Sequence, residues 1–216
     1  LKNEWKPAVF AKQNSHEDFL NPLNAEGVGA QLRADIAKRL ADYVANSKLF
    51  FQRDALDEHY SYSFFRGVQE AIRGDKSQAD AVQWGELIDT LILIADSGKS
   101  TAFDSQKRDR ETYDAWLANW TGVLSAVSDV LQELLNEKQG RILLDFTEHR
   151  DKLLNIHDFL LSYPDPEPKD EELETAKSKT RLAGEKEEYL VTDPFTMAIN
   201  SVRGRAFQSF VLFVYQ

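Results

Sequence analysis

Residues 112–137 read TYDAWLANWTGVLSAVSDVLQELLNE and form the longest regular pattern in the sequence. Apolar side chains recur there every three or four residues over about seven helical turns, as they do on one face of an α-helix. We therefore predict a helix over 112–137 with a broad apolar face. That face consists of Tyr113, Trp116, Leu117, Trp120, Val123, Leu124, Val127, Val130, Leu131, Leu134 and Leu135.

Similar patterns flank this stretch, and no proline interrupts residues 23–163. Proline removes a backbone donor and clashes with the preceding turn, so its absence over such a length favours a succession of helices. Gly74, Gly98 and Gly140 stand where the patterns stop, and we predict that they end helices. The other predicted helices cover 25–46, 56–73, 78–96 and 147–162.

An acidic segment with three alternating prolines separates these helices from a last one. It has little apolar surface to offset the entropy of ordering it, so we expect a flexible loop. The last helix has Asp193 as its N-cap and Pro194 as its first residue, where the missing N–H of proline costs nothing. We expect one domain, with a helical array over 1–163, the loop over 164–191, and a final helix within 192–216 that packs back on the array.

Helices of this length joined by short connectors predict an all-α fold in which antiparallel neighbours pack together. We expect helix pairs stacked as an array similar to HEAT or TPR repeats, either as a right-handed solenoid or as an irregular bundle. No regular repeat period is present in the sequence. Gly67, Gly85, Gly122 and Gly204 lie inside helical patterns, and we expect neighbouring helices to approach closely at these positions.

The composition is that of an acidic globular chain. Its 216 residues include 26 Lys+Arg, 36 Asp+Glu and no Cys, which gives a formal net charge of −10 at pH 7. This balance argues against nucleic acid as a partner, because phosphate binding depends on clustered basic residues. The sequence contains no signal peptide and no apolar stretch long enough for a membrane span. Since the first residue is Leu1 and the only methionine is Met197, we expect a piece of a longer cytoplasmic protein.

One motif suggests nucleotide binding. Residues 98–100 are Gly-Lys-Ser and resemble the end of a phosphate-binding loop. However, Leu93 occupies the position of the first glycine of that motif, and the preceding apolar pattern is that of a helix. We therefore interpret the motif as a helix end and keep a nucleotide-binding module around Lys99 as an alternative.

A second motif suggests a metal site. Asp145 and His149 are four residues apart, which would place both on one face of a helix, as metal ligands often lie. We favour a solvated polar pair and expect no catalytic residue and no cofactor. The alternative function is an enzyme domain on a helical bundle with a metal bound at Asp145 and His149.

The most distinctive string is TDPFTMAINSVRGRAF at 192–207, which follows the acidic, proline-rich loop. It resembles an Asp-Pro…Ala-Ile-Asn-Ser-Val-Arg-Gly-x-Ala segment in the helical C-terminal regions of large prokaryotic STAND, or NLR-like, ATP-binding proteins of antiviral defence. The resemblance implies a sensor or scaffold region without ATPase residues of its own. It also implies that a separate domain hydrolyses the nucleotide, and that the partners are a foreign protein and other domains of the parent chain.

Polar residues within this string suggest a structural role. Asn200, Arg203 and Arg205 lie on a helix that we otherwise expect to be buried. Their side chains can bind carbonyl groups at the ends of neighbouring helices, and we prefer this role to direct contact with a target. Trp5 and Phe10 lie outside the strong patterns and are predicted to contact a neighbouring part of the parent chain. Together these residues predict a non-catalytic protein-recognition or interdomain scaffold.

Overall fold

The computed structural model describes residues 25–52, 56–74, 79–101, 119–136, 143–165 and 194–216. Within these ranges the chain forms α-helices and no β-strand, so the predicted all-α class is confirmed. The helices are α1 (Ala25–Lys38), α2 (Leu40–Ala45), α3 (Ser47–Phe51), α4 (Glu58–Arg73), α5 (Trp84–Thr101), α6 (Trp120–Leu135), α7 (Phe146–Ser162), α8 (Pro194–Asn200) and α9 (Val202–Val214).

A side-chain cap decides where α6 begins. Asn119 has an extended backbone, and its side-chain oxygen accepts a hydrogen bond from the N–H of Gly122 at 3.0 Å. Such a cap pairs a backbone N–H that the first turn of a helix leaves without an internal partner. Helix α6 therefore begins at Trp120, and the prediction of one helix over 112–137 is wrong at its start. Residues 112–118 lie outside the described ranges.

Two further predicted helices are interrupted. The backbone of Arg39, at φ −132° and ψ 42°, separates α1 from α2 within the predicted helix 25–46. Ser201 separates α8 from α9, and its hydroxyl accepts a hydrogen bond from the N–H of Gly204 at 3.0 Å. The prediction of one continuous helix within 192–216 is therefore wrong, because the serine caps a second helix there.

The predicted helix ends have different outcomes. Gly74 is the C-terminal cap of α4, and its N–H donates to a carbonyl oxygen one turn earlier at 2.9 Å, as predicted. Gly98 lies inside α5, so its predicted role as a helix end is wrong. Pro194 is the first residue of α8, whereas Gly140 and Asp193 lie outside the described residues.

The described helices pack in two rows. In the first row, α1, α4, α6 and α9 pack successively against one another. In the second row, α2 and α3 pack against α5, and α5 packs against α7. From α4 to α7 the helices therefore alternate between the rows, whereas the short helices α2 and α3 lie in the second row between α1 and α4 in the sequence. Helix α9 also packs against α7 and joins the two rows near the end of the chain.

Apolar side chains from both rows form one core. Phe64 of α4, Leu87 of α5 and Leu131 of α6 are fully buried in it. Aromatic rings extend the core towards α3, where Phe51 meets Phe64 edge-on with their ring centroids 5.3 Å apart. Burying a side chain of this size stabilises the fold by about 1.5–3 kcal/mol relative to leaving it exposed. The apolar faces seen in the sequence patterns thus form the interior between the rows.

Glycine permits close backbone contact at two of the predicted positions. A Cβ atom at Gly67 of α4 would lie 3.0 Å from the Cβ atom of Ile36 and 3.1 Å from the backbone of Arg33, both on α1. A Cβ atom at Gly204 would collide with the carbonyl oxygen of Ala198, at the turn between α8 and α9. A larger residue at either position would have to displace backbone, which is costly in a packed structure.

A buried histidine joins the rows at the contact between α7 and α9. His157 is 1% exposed; its Nδ1 lies 2.8 Å from the carbonyl oxygen of Leu153, and its Nε2 lies 3.0 Å from the hydroxyl of Ser209. Its ring stacks on Phe213 with the centroids 5.7 Å apart. Burial lowers the pKa of His157, outweighing the opposite effect of the backbone hydrogen bond. Burial also lowers the pKa of His59, at the contact between α1 and α4.

Replacing Gly67 with alanine is expected to lower the free energy of unfolding by about 1–2 kcal/mol, measured by urea denaturation, because the backbone of α1 has to move. Gly85→Ala is the matched control. A Cβ atom there would meet the ring of His149 at 3.2 Å, and that side chain can move away. The control should be neutral or stabilising by up to about 1 kcal/mol, since alanine favours a helix. Equal effects of the two substitutions would contradict the close contact.

Lowering the pH is expected to destabilise the protein through its buried histidines. An unfolded histidine has a pKa of 6.5, whereas the folded-state pKa values of His157 and His59 are lower. Below pH 6.5 the unfolded chain binds protons that the folded chain excludes. The stability that the neutral histidines contribute is therefore fully present above pH 6.5 and is lost as the pH falls below it. Urea denaturation should give a free energy of unfolding about 1–2 kcal/mol lower near pH 5.5 than near pH 7.5. The decrease should be smaller in His157→Gln, and constant stability would refute the assignment.

Candidate functional site

A groove crosses three helices of the second row, α3, α5 and α7, and has a volume of about 540 Å³. Each helix contributes side chains from a single turn. We call this feature the three-helix groove. It is lined by Lys48 of α3 and Gln52 directly after this helix, by Asp89, Ile92 and Leu93 of α5, and by Asp151, Lys152 and Asn155 of α7.

One carboxylate links the three helices of the groove. Oδ2 of Asp89 lies 2.9 Å from Nζ of Lys48, and Oδ1 accepts a hydrogen bond from Nζ of Lys152. Lys48 also pairs with Glu86, whose Oε2 lies 2.9 Å from the same nitrogen. Hydrogen bonds from Lys152 and then Lys48 lower the pKa of Asp89, while those to Asp89 and Glu86 raise the pKa of Lys48. Carboxylates therefore balance the positive charges of both lysines within the groove.

Other groups in the groove have no such partners. The side chains of Gln52, Asp151 and Asn155 make no hydrogen bond or ion pair with any described residue. Between them, Ile92 is half-buried and Leu93 is 38% exposed. Apolar side chains beside a few polar groups that are accessible to solvent and to a ligand are typical of a surface that binds another molecule. The groove is therefore the candidate functional site.

The residues predicted from the sequence motif lie elsewhere, on α8 and on α9, of which α9 belongs to the first row. Nε of Arg203 donates to the carbonyl oxygen of Asp165 at 3.2 Å. The carboxylate of Asp165 accepts a hydrogen bond from the N–H of Val202 at 2.7 Å, at the start of α9. These bonds fix α9 to the segment that follows α7.

Arg205 connects α9 with α6 and α8. Its NH1 lies 2.7 Å from both carboxylate oxygens of Asp129 on α6, and its Nε donates to the carbonyl oxygen of Asn200 at 3.1 Å. The side chain of Asn200 in turn donates to the carbonyl oxygen of Thr196 within α8 at 2.8 Å. Asp129 also accepts from Arg66 on α4 at 3.2 Å, so one buried carboxylate links α4, α6 and α9.

The surroundings of the motif at 192–207 differ in part from the prediction. Phe195 is 73% exposed and Phe207 is 59% exposed, so the expectation of an otherwise buried helix is wrong. The physical reason is the cap at Ser201, which ends one helix and starts another, so that one apolar face cannot continue through both. Trp5 and Phe10 lie outside the described residues.

The structure gives no support to the two chemical alternatives, the metal site at Asp145 and His149 and the nucleotide-binding module around Lys99. Asp145 is the N-cap of α7, and its carboxylate accepts hydrogen bonds from the N–H groups of Thr147 at 2.9 Å and Glu148 at 3.4 Å. His149 lies against α5, and no group of three or more potential ligands that could hold a metal ion occurs among the described residues. The backbone of residues 98–100 is helical, unlike a phosphate-binding loop.

The sequence patterns missed the groove and Asp129. The groove residues come from three helices far apart in the sequence, so no local motif contains them. The sequence gives no signal for Asp129, because this acidic residue stands outside the apolar pattern of α6, and only the packing shows that it is 7% exposed. A buried carboxylate requires a cationic or hydrogen-bonding partner, which here comes from other helices.

Comparisons with protein-family models, curated proteins and solved structures give no match for this chain. The resemblance of residues 192–207 to STAND proteins therefore stays a prediction. Within the part of the chain that the structure describes, no helix has both the length and the apolar character needed to cross a membrane.

Asp129→Ala is expected to lower the free energy of unfolding by about 2 kcal/mol, because it leaves two arginine side chains without their carboxylate. Combined with Arg205→Ala in a double-mutant cycle measured by urea denaturation, it should give a coupling energy of about 1–2 kcal/mol. Arg33→Ala is the control, since the partner of Arg33 is the exposed Glu26. That change should cost about 0.5 kcal/mol or less. Additive effects of the Asp129 and Arg205 substitutions would exclude the proposed link.

Proposed function

We propose that this chain is a non-catalytic helical segment of a larger cytoplasmic protein and acts in protein recognition, as a sensor or an interdomain scaffold. The observation that carries the proposal is the three-helix groove, which combines exposed apolar surface with unpaired polar groups. Protein recognition does not require a flexible lid or a cluster of catalytic groups. A stiff array of helices suits it, because a surface built on regular elements holds its binding groups in place.

The packing supports an array similar to HEAT or TPR repeats. Stacked helix pairs place the first helix of each pair in one row and the second helix in another. Here α1, α4, α6 and α9 would form one row and α2, α3, α5 and α7 the other, and the helices pack mainly along the rows. A partner could bind along one row, because the neighbouring helices of that row present a continuous surface.

The resemblance of residues 192–207 supports a place in antiviral defence. In this proposal the chain belongs to the sensor or scaffold region of a STAND-like ATP-binding protein, and its partners are other domains of that protein and a foreign phage protein. The described contacts give Asn200, Arg203 and Arg205 a role in holding α8 and α9 against the array. Their part in recognition would then be indirect, through the position of these helices.

Photo-crosslinking tests this function. Benzoylphenylalanine replaces Leu93 in the groove or, as a control, the exposed Glu70 on α4 of the first row. The full chain is irradiated in bacterial cells with and without phage infection, and adducts are identified by mass spectrometry. A phage protein attached at position 93 but not at position 70 supports a sensor, and a host protein supports a scaffold. The absence of any adduct specific to position 93 would reject recognition through the groove.

A further inference from the structure

The dimensions of the three-helix groove limit what can occupy it. Its residues span 48–52, 89–93 and 151–155, so it is about one helical turn, or roughly 5–6 Å, wide. A helix with its side chains has a diameter of about 10–12 Å and is too wide for such a groove. An extended chain fits better, because neighbouring strands in a sheet lie only about 4.8 Å apart.

The length of the groove leads to the same conclusion. Packed helices lie about 8–10 Å apart, so the axes of three neighbours span roughly 16–20 Å. An extended chain advances about 3.3 Å per residue and would cross this distance with about five or six residues. The groove is therefore matched to a short extended segment lying across the helices.

The unpaired amides of the groove suit a peptide backbone. An extended segment needs partners for its N–H and C=O groups when it leaves water. Gln52, directly after α3, and Asn155 on α7 each offer an amide donor and an acceptor, and neither side chain is engaged with a described residue. They stand at the two outer helices of the groove, with Ile92 and Leu93 on the middle helix between them.

The charges of the groove favour a basic side chain on the ligand. Lys48 and Lys152 share Asp89, and Lys48 also pairs with Glu86, so both lysines are compensated. Asp151 has no ion-pair partner among the described residues. Among the described residues in and beside the groove, two lysines pair with Asp89 and Glu86, and the carboxylate of Asp151 is available for a ligand to pair with.

We infer that the three-helix groove binds an extended peptide segment in which an apolar side chain neighbours a lysine or an arginine. The apolar side chain packs on Ile92 and Leu93, the basic one pairs with Asp151, and the backbone bonds to Gln52 and Asn155. This inference rests on the proposed function of protein recognition and names the chemistry of the recognised segment.

Selection from a phage-displayed library of random peptides of about eight residues tests the inference, with the full chain as bait. The selected peptides should be enriched in an apolar residue beside Lys or Arg. In fluorescence anisotropy with the best synthetic peptide, Asp151→Asn should weaken binding by about two- to five-fold, as for an exposed ion pair. Asn155→Ala should weaken it by about three- to ten-fold through lost hydrogen bonds.

Asp158→Asn is the matched control, because Asp158 is an exposed aspartate on the same helix that does not line the groove. It should leave the affinity unchanged, and thermal melting should show all three variants folded. N-methylation of the peptide backbone should weaken binding, whereas it would not affect a ligand held by side chains alone.

Several outcomes would overturn the inference. These are the enrichment of no peptide, the enrichment of acidic or helix-forming peptides, and equal affinity for the parent chain and Asp151→Asn. If position 93 still crosslinks a protein while no peptide is enriched, the extended-peptide assignment fails and the recognition function stands. If neither experiment detects a partner, both fail.

Discussion

The burial of α6 is the constraint on which the rest of the structure depends. This helix packs between α4 and α9 in its own row and contributes to the core between the rows, so 11 of its 16 residues are buried. Two of the buried residues, Asp129 and Glu133, carry charge. Because a buried carboxylate is costly without a partner, arginines must come from neighbouring helices, and Arg66, Arg73 and Arg205 do so. The position of α6 thus determines both the apolar core and the polar links of the first row.

Periodicity in the sequence could predict the helices but not their breaks. An apolar pattern reports that a face is buried, and this was sufficient for α4, α6 and α7. The breaks at Arg39 and Ser201 and the start of α6 after Asn119 depend on single backbone conformations and caps, which do not disturb the pattern around them. The sequence also did not predict which helices pack against each other, because an apolar pattern does not identify the helix that covers a face. The groove could not be predicted for the same reason.

In the proposed function, the first row stabilises the fold and the second row provides the binding surface. In the first row, charged side chains from adjacent helices pair with each other, as Arg205 does with Asp129. In the second row, Asp89 holds the helices together while other polar groups nearby keep no internal partner. The proposed recognition surface therefore lies beside the links that keep its own helices in position. The motif at 192–207, although the most distinctive string in the sequence, extends into α9 of the first row.

The shared carboxylate of Asp89 has a mechanical consequence for the array. Lys48 and Lys152 approach it from the helices on either side, so a change in the curvature of the second row must lengthen or reorient at least one of these contacts. The curvature of the row and the ion pairs in the groove are thereby coupled. Since α7 also packs against α9 through His157, a shift of α7 is transmitted to the end of the first row. A ligand in the proposed groove would thus contact α7, the same helix that packs against α9.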